Sequence, residues 1–259
     1  MNFEYMIPYF VFSGLPLGSF YIYSWGLMVG LGIITAIWVS MRRAKLAGLN
    51  NEKILDLSAW VIAAALVGAR LGDVFLYRWS NYASNPLDIL KIWQGGLSLF
   101  GGFIGAIIAS IIYVRINKID FWGYANAIMY GFPLGLGIGR IGCFINHLHL
   151  GKLSNFPLAV AFPDGSRLDM GLIESIFGFL LFAVYFFRLR KIAEQIFLPV
   201  TMIAYGAVRF VLDFARANDI PQADIRYLSL TPAQYGSVLL ILGGIYIFSK
   251  LRLSKASPG

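Results

Sequence analysis

Residues 121–146 read FWGYANAIMYGFPLGLGIGRIGCFIN, a run in which Arg140 is the only charged side chain. A bilayer core about 30 Å thick requires roughly 20 apolar residues in a spanning helix, so this run is long enough to cross a membrane. An arginine within such a span is costly to bury and normally faces the protein interior or a wet cavity. The run therefore predicts a membrane helix that carries a functional or structural charge.

The composition of the whole chain supports a membrane protein. Of its 259 residues, 58% are hydrophobic and 13% are charged, whereas soluble domains carry about 25% charged residues. The net charge of +8 does not indicate nucleic-acid binding, because the basic residues lie in short loops between apolar runs. The single cysteine, Cys143, excludes an internal disulfide framework and a multi-cysteine metal site.

Seven apolar stretches are predicted to span the bilayer, with no linker that would separate a soluble domain. The predicted spans are residues 19–41, 54–77, 93–114, 121–146, 168–187, 195–215 and 233–249. We therefore expect an all-α integral membrane protein of about seven transmembrane helices that forms a single transmembrane domain over residues 1–259.

The basic residues of the loops predict the orientation of the chain. Loops on one side carry 12 lysines and arginines in short segments, whereas the longer loops on the other side carry six. Cytoplasmic loops are enriched in basic residues. The N-terminus is therefore predicted outside and the C-terminus in the cytoplasm.

Three arginines lie inside predicted spans: Arg70, Arg140 and Arg209. In the predicted topology each falls in the outer half of the membrane. The same depth is predicted for further acidic and glycine-rich positions, namely Asp73, Glu174, Asp213 and residues 95–102. Five helices would thus bring polar or glycine-rich segments to one level.

Two interpretations of these residues remain open. The arginines can reach toward the outer headgroups or form structural ion pairs, as Arg70 can with Asp73. Alternatively, the guanidinium groups of Arg140 and Arg209 can bind a phosphate with two hydrogen bonds each, which would suit a phospholipid headgroup. The glycines either allow close helix packing or let backbone amides approach an anion.

The charged spans carry motifs of a known family. Residues 139–146, GRIGCFIN, resemble the G-R-x-G-N-F-I-N-G-E signature of bacterial prolipoprotein diacylglyceryl transferases. Residues 95–105, GGLSLFGGFIG, resemble that family's G-G-L-x-x-H-G-G-x-x-G run, and residues 205–216, YGAVRFVLDFAR, resemble its Y-G-x-x-R-x-x-x-E-x-x-R motif. Residues 24–28 and 230–235 are similar to the openings of its first and last helices, so the resemblance covers nearly the whole chain.

The resemblance implies transfer of diacylglyceryl from phosphatidylglycerol to the thiol of a lipobox cysteine in a precursor protein, with glycerol phosphate as the leaving group. It also implies a multi-pass protein of the bacterial inner membrane, an active site on the outer, periplasmic side, and no cofactor or metal. Arg140, Arg209 and Glu174 would be catalytic. The residues expected to bind substrate are Asn146, Arg70, Asp73, Gly101, Gly102, Asp213, Arg216 and Trp25.

The chain departs from the family where the thiol acceptor would bind. Phe100 replaces the histidine between the glycine pairs, and Cys143 replaces the first asparagine of the signature. His147 and Leu148 replace the Gly-Glu that follows. The phosphate-binding motifs are thus retained, while those around the acceptor are altered.

Several alternatives remain open from the sequence. His147 and His149 are either solvated loop residues, a replacement proton acceptor or a metal-binding pair. Cys143 is either an inert buried cysteine or a thiol whose pKa is lowered by Arg140. Besides the transferase, the sequence allows a divergent paralogue that uses another acceptor, and a non-catalytic lipid-binding membrane protein.

Overall fold

A computed structural model describes every residue except 1–5, 19, 77, 92–95, 190–195, 222 and 257–259. It divides the chain into two compact units, one formed by Met1–Arg43 with Ala125–Gly259 and the other by Ala44–Tyr124. The single transmembrane domain over residues 1–259 stays a prediction.

Helices make up most of the described chain. In chain order they are α1 (Ser24–Leu46), α2 (Glu52–Leu76), α3 (Trp79–Ser84), α4 (Leu99–Asn117), α5 (Phe121–Ile145), α6 (Met170–Val184), α7 (Phe197–Leu212) and α8 (Pro232–Ala256). Among the described residues, six helices are long and apolar enough to cross a membrane, and the apolar part of α4 is shorter. The predicted class, an all-α multi-pass membrane protein, is confirmed.

The residues before α1 form strands rather than helix. The predicted first span starts at residue 19, whereas α1 begins at Ser24, because β3 (Phe20–Tyr23) pairs antiparallel with β2 (Gly14–Leu17). This hairpin satisfies its backbone hydrogen-bonding groups across the turn and so does not need helical bonds. The apolar character of residues 19–23 misplaces the predicted start of the helix.

A small sheet follows α5, within the long connection predicted as a loop. Its strands are β4 (Leu150–Leu153), β5 (Val160–Phe162) and β6 (Gly165–Asp169), which are joined by β1 (Ile7–Pro8). The strand order is β1-β5-β6-β4, with β1 parallel to β5 and the other pairs antiparallel. The sheet leads from the end of α5 directly into α6.

Local signals explain where α8 begins. Thr231 precedes the helix, Pro232 occupies its first position, and Gln234 follows three residues after the threonine. The Thr231 hydroxyl accepts from the Gln234 amide at 3.2 Å, and the Gln234 side chain accepts from the Thr231 amide at 3.0 Å. This reciprocal capping box satisfies two otherwise unpaired amides and fixes the start of the helix.

Glycines set the separation of α2 and α4 within the unit Ala44–Tyr124. A Cβ atom added at Gly101 would collide with the carbonyl oxygen of Gly68, and one added at Gly105 would collide with that of Ala64. Such contacts between backbones are possible only where side chains are absent, as is common between membrane helices. The packing interpretation therefore applies to Gly101.

Candidate active site

The central feature of the first unit is a carboxylate shared by two arginines. Glu174 on α6 contacts Arg140 on α5 and Arg209 on α7: its Oε2 lies 2.7 Å from Arg140 Nη2, and its Oε1 accepts from Arg209 Nη1 at 2.5 Å. The Glu174 side chain is 1% exposed, whereas those of Arg140 and Arg209 are 18% and 14% exposed. The partly exposed side chains of this cluster are therefore the two positively charged arginines.

Asp213 braces Arg209 from the other side. Its Oδ1 lies 3.2 Å from Arg209 Nη2, one helical turn earlier, and 3.8 Å from the Nε of Arg216. Arg216 Nε also lies 2.6 Å from Asp224 Oδ2, and Thr231 donates its hydroxyl hydrogen to Asp213. Since Asp213 is fully buried, these contacts hold the Arg209 guanidinium in a fixed orientation.

Asn146 lies at the outer end of α5, by the predicted topology. Its Nδ2 donates to Ser24 Oγ at 2.8 Å and to the Gly142 carbonyl at 2.9 Å. Both amide hydrogens are thus committed to the protein, and the side-chain oxygen is the group that can accept from a ligand. Trp25 packs its backbone against α5 at Gly142, and its residue surface is 46% exposed.

Cys143 lies beside Arg140. The thiol sulfur is 3.8 Å from Arg140 Nη1, one helical turn away, and the cysteine is buried. The spacing along α5 therefore places the Cys143 thiol on the same face of the helix as the Arg140 side chain.

His147 is not a solvated loop residue, because its side chain is 5% exposed. Its Nδ1 lies 2.8 Å from Asp169 Oδ2, and its Nε2 lies 2.8 Å from the carbonyl oxygen of Phe10. A carbonyl only accepts, so Nε2 donates to Phe10, and Nδ1 faces the Asp169 carboxyl group. Burial raises the pKa of Asp169, while the hydrogen bond to His147 acts in the opposite direction.

Aromatic rings enclose this imidazole. Tyr9 stacks on it with ring centroids 5.0 Å apart, and Phe10, Phe144 and Phe162 meet it edge-on or at steep angles. Asp169 also caps the start of α6, since its Oδ1 accepts from the Leu172 amide at 3.2 Å. The pair thus ties the end of α5 to the start of the helix that carries Glu174.

His149 occupies a different environment. It is half-buried in the connection between α5 and β4. Burial, followed by the positive charges of Arg140, Arg216 and Arg209, lowers its pKa to about 4, and Asp213 partly opposes this effect. His149 is therefore neutral at physiological pH.

The second unit holds the remaining predicted site residues. Asp73 Oδ2 lies 2.6 Å from Arg78 Nη2 and accepts from the Tyr82 hydroxyl at 3.0 Å. Arg70 donates to the backbone carbonyls of the segment that follows α3, those of residues 88, 89, 91 and 96. In this unit both residues organise the connection between α2 and α4.

The glycines at the start of α4 are also engaged within the protein. The amide of Gly101 donates to Ser98 Oγ at 3.2 Å, and that of Gly102 donates to the Ser98 carbonyl at 3.0 Å. These bonds are the N-terminal cap of α4. The backbone of Phe100 lies within this helix.

Two further residues belong to the site although the sequence did not single them out. Tyr205 on α7 lies close to Arg140, and its position four residues before Arg209 is the signal that places it on the same helix face. Asp169 could be recognised only as a helix cap before an apolar run. Within the described part of the chain, no group of three or more histidine, cysteine or carboxylate side chains forms a possible metal site.

The apolar helices define a multi-pass membrane protein, and Arg140 and Arg209 meet at the buried Glu174 carboxylate within the first unit. The sequence profile described as prolipoprotein diacylglyceryl transferase matches residues 13–250. Proteins of Francisella tularensis, from subspecies holarctica (strain LVS), tularensis (strain FSC 198) and novicida (strain U112), are named phosphatidylglycerol–prolipoprotein diacylglyceryl transferase. Each is 34% identical in an alignment of 253 residues that covers 93% of this chain and 94% of the relative.

This chain belongs to the prolipoprotein diacylglyceryl transferase family. The resemblance found in the sequence motifs is thereby confirmed.

Proposed function

We propose that this chain transfers the diacylglyceryl group of phosphatidylglycerol to the cysteine thiol of a prolipoprotein, at the outer face of the bacterial inner membrane. The observation that carries the proposal is the buried carboxylate of Glu174 between two accessible arginines, Arg140 and Arg209. Family membership supplies the reaction, and the distribution of basic loop residues supplies the orientation.

In this reaction the thiol sulfur forms a bond to the methylene carbon of the glyceryl group. The bond from that carbon to the phosphate oxygen breaks, and its electron pair leaves with glycerol phosphate. The phosphate changes from a diester with one negative charge toward a monoester that carries up to two. Negative charge therefore grows at the phosphate as the reaction proceeds.

Arg140 and Arg209 suit this change in charge. Each guanidinium carries five N–H donors, of which Glu174 engages one nitrogen per arginine. Because Glu174 and Asp213 hold them in place before the lipid arrives, the arginines need not reorganise as the charge develops. They therefore stabilise the transition state more than the bound lipid.

The proposal is tested with the purified chain in liposomes and a synthetic lipobox peptide that contains one cysteine. Liposomes with phosphatidylglycerol should give a peptide with the added mass of diacylglyceryl and one glycerol phosphate released per peptide. Liposomes of phosphatidylcholine alone serve as the control for headgroup dependence. Glycerol phosphate release without a lipidated peptide would identify a different acceptor, and lipid binding without either product would overturn the proposal.

A further inference from the structure

The proposed transfer requires a proton acceptor, and this inference rests on that proposed function. A thiol that forms a carbon–sulfur bond must release its hydrogen as a proton. Glu174 is 1% exposed, and its carboxylate is already paired with Arg140 and Arg209. The chain must supply the acceptor from another group near the arginines.

His149 is fixed beside the arginine cluster by its backbone. Its carbonyl accepts from the amide of Met170, the first residue of α6, at 3.0 Å. The carbonyl of the next residue, Leu150, accepts from the Ala217 amide at 3.0 Å, directly after Arg216. His149 is therefore held between the helix that carries Glu174 and the segment that carries Arg216.

Burial, and after it the positive charges around His149, keep its imidazole neutral. Arg140, Arg209 and Arg216 act on it together, and Asp213 opposes them only partly. A neutral imidazole has one nitrogen with a free lone pair, which is the group that accepts a proton. The other histidine near the site, His147, has both ring nitrogens engaged, by Asp169 and by the Phe10 carbonyl.

We propose that His149 is a catalytic residue that accepts the proton of the acceptor thiol. As the carbon–sulfur bond forms, the S–H proton passes to the imidazole, and the electron pair of the broken carbon–oxygen bond leaves with glycerol phosphate. Atoms and charge balance without a further reactant: thiol, diester and neutral His149 give thioether, glycerol phosphate and protonated His149.

The arginine cluster would also control when His149 holds this proton. The phosphate of the bound lipid offsets the positive charge of Arg140 and Arg209, so the proton affinity of His149 rises when substrate is present. Charge that accumulates on the leaving group raises it further. When glycerol phosphate departs, no phosphate offsets the positive charge of the arginines. Their charge then favours the neutral imidazole again, and the proton is released to water.

The test compares wild type with His149→Gln and His149→Asn in phosphatidylglycerol liposomes with the lipobox peptide. At pH 7 we expect kcat to fall about 10²- to 10⁴-fold, the range typical of a lost general base, with little change in the KM for phosphatidylglycerol. The variants should recover toward pH 9, where the peptide thiol ionises without help. Wild-type kcat should decline on the acid side of its pH profile, and the variants should lack that decline.

Addition of imidazole to His149→Gly provides a second, independent measurement, because a base in solution can then restore turnover. Wild-type rates in His149→Gln, or a wild-type kcat that does not decline toward acid pH, would overturn the role of His149 while the transferase stands. An equal loss of rate and lipid binding at every pH would assign His149 a purely structural role and would also overturn the proposal. An inactive wild type would instead overturn the proposed function itself.

Discussion

Arg209 donates from Nη1 to Glu174 Oε1 at 2.5 Å, although the two residues are 35 positions apart and lie on different helices. Arg140 approaches the other carboxylate oxygen from a third helix. A carboxylate this deeply buried is tolerated only when it is paired. Glu174 therefore fixes the distance between two like charges that would otherwise repel each other, and in the proposed function these two arginines bind the lipid phosphate.

Glu174→Gln should reduce both stability and transfer. The amide keeps the shape of the side chain but removes the charge that holds the two arginines together, and breaking a buried ion pair costs about 3–5 kcal/mol. We expect a lower melting temperature in detergent and at least a tenfold lower kcat. Glu52→Gln, at an exposed position in the first turn of α2, is the matched control. An unchanged melting temperature in Glu174→Gln would contradict this account.

Asp169→Ala should destabilise the fold more than the loss of an ordinary helix cap. Loss of a cap costs about 1 kcal/mol, and leaving His147 without its buried partner adds about 1–3 kcal/mol. Asp120→Ala, which removes side-chain bonds to the Trp122 and Gly123 amides at the exposed start of α5, tests the cap alone. If thermal unfolding showed equal losses for both variants, the bond from His147 would contribute nothing.

The contacts of Arg167 should make stability depend on acid pH. Its hydrogen bonds lower the pKa values of Asp164 and Asp219. Carboxylates with a lowered pKa stabilise the fold above the unfolded value of about 3.9, and that stability is lost as pH falls through the folded value. The wild-type melting temperature should therefore fall between about pH 5 and pH 3, with a smaller fall in Asp219→Asn.

A matched control for that experiment is Asp88→Asn, which removes the pair between Asp88 and Lys91, both about 40% exposed. A single contact between two exposed side chains contributes little, whereas Arg167 is 5% exposed and donates to Asp219 from both Nη1 and Nη2. The Asp88→Asn variant should therefore follow the wild-type curve. An Asp219→Asn curve that runs parallel to wild type over the whole range would show that the Arg167 contacts do not couple stability to pH.

Gly101→Ala should destabilise the packing of α2 against α4. The added methyl group would meet the Gly68 carbonyl, and overpacking of this kind costs about 1–3 kcal/mol. In Gly30→Ala the new methyl meets nothing within 4 Å, so the same change in helix α1 should be neutral or stabilise by about 0.5–1 kcal/mol. Melting temperatures that shift equally in the two variants would argue against the close contact.

The sequence predicted the parts of the molecule that depend on hydropathy and helical spacing. Long apolar runs identify the spans, and the positions of Arg140, Arg209 and Glu174 along them place these residues at one depth. Asp213 follows Arg209 by one helical turn, so the contact between them was also predictable. These relations follow from local sequence and the thickness of the bilayer.

Other features depend on contacts that no local pattern encodes. Asp73 was paired with Arg70 from their spacing on one helix, yet it contacts Arg78 and Tyr82, because the chain folds back after α2. His147 could be taken for a solvated loop residue, since its partners Asp169 and Phe10 lie 22 and 137 positions away. The N-terminal strands were missed because apolar residues next to a span resemble the span itself.

The central claim is that Arg140 and Arg209 hold the lipid phosphate and stabilise the charge on the leaving glycerol phosphate. The most direct measurement is the rate of peptide lipidation in phosphatidylglycerol liposomes for Arg140→Lys, Arg209→Lys and the exposed control Arg115→Lys. Lysine keeps the charge but loses the planar fork of donors, so the first two variants should lose about 10²- to 10³-fold in kcat, while the control keeps the wild-type rate. Wild-type turnover in either Arg140→Lys or Arg209→Lys would contradict the account.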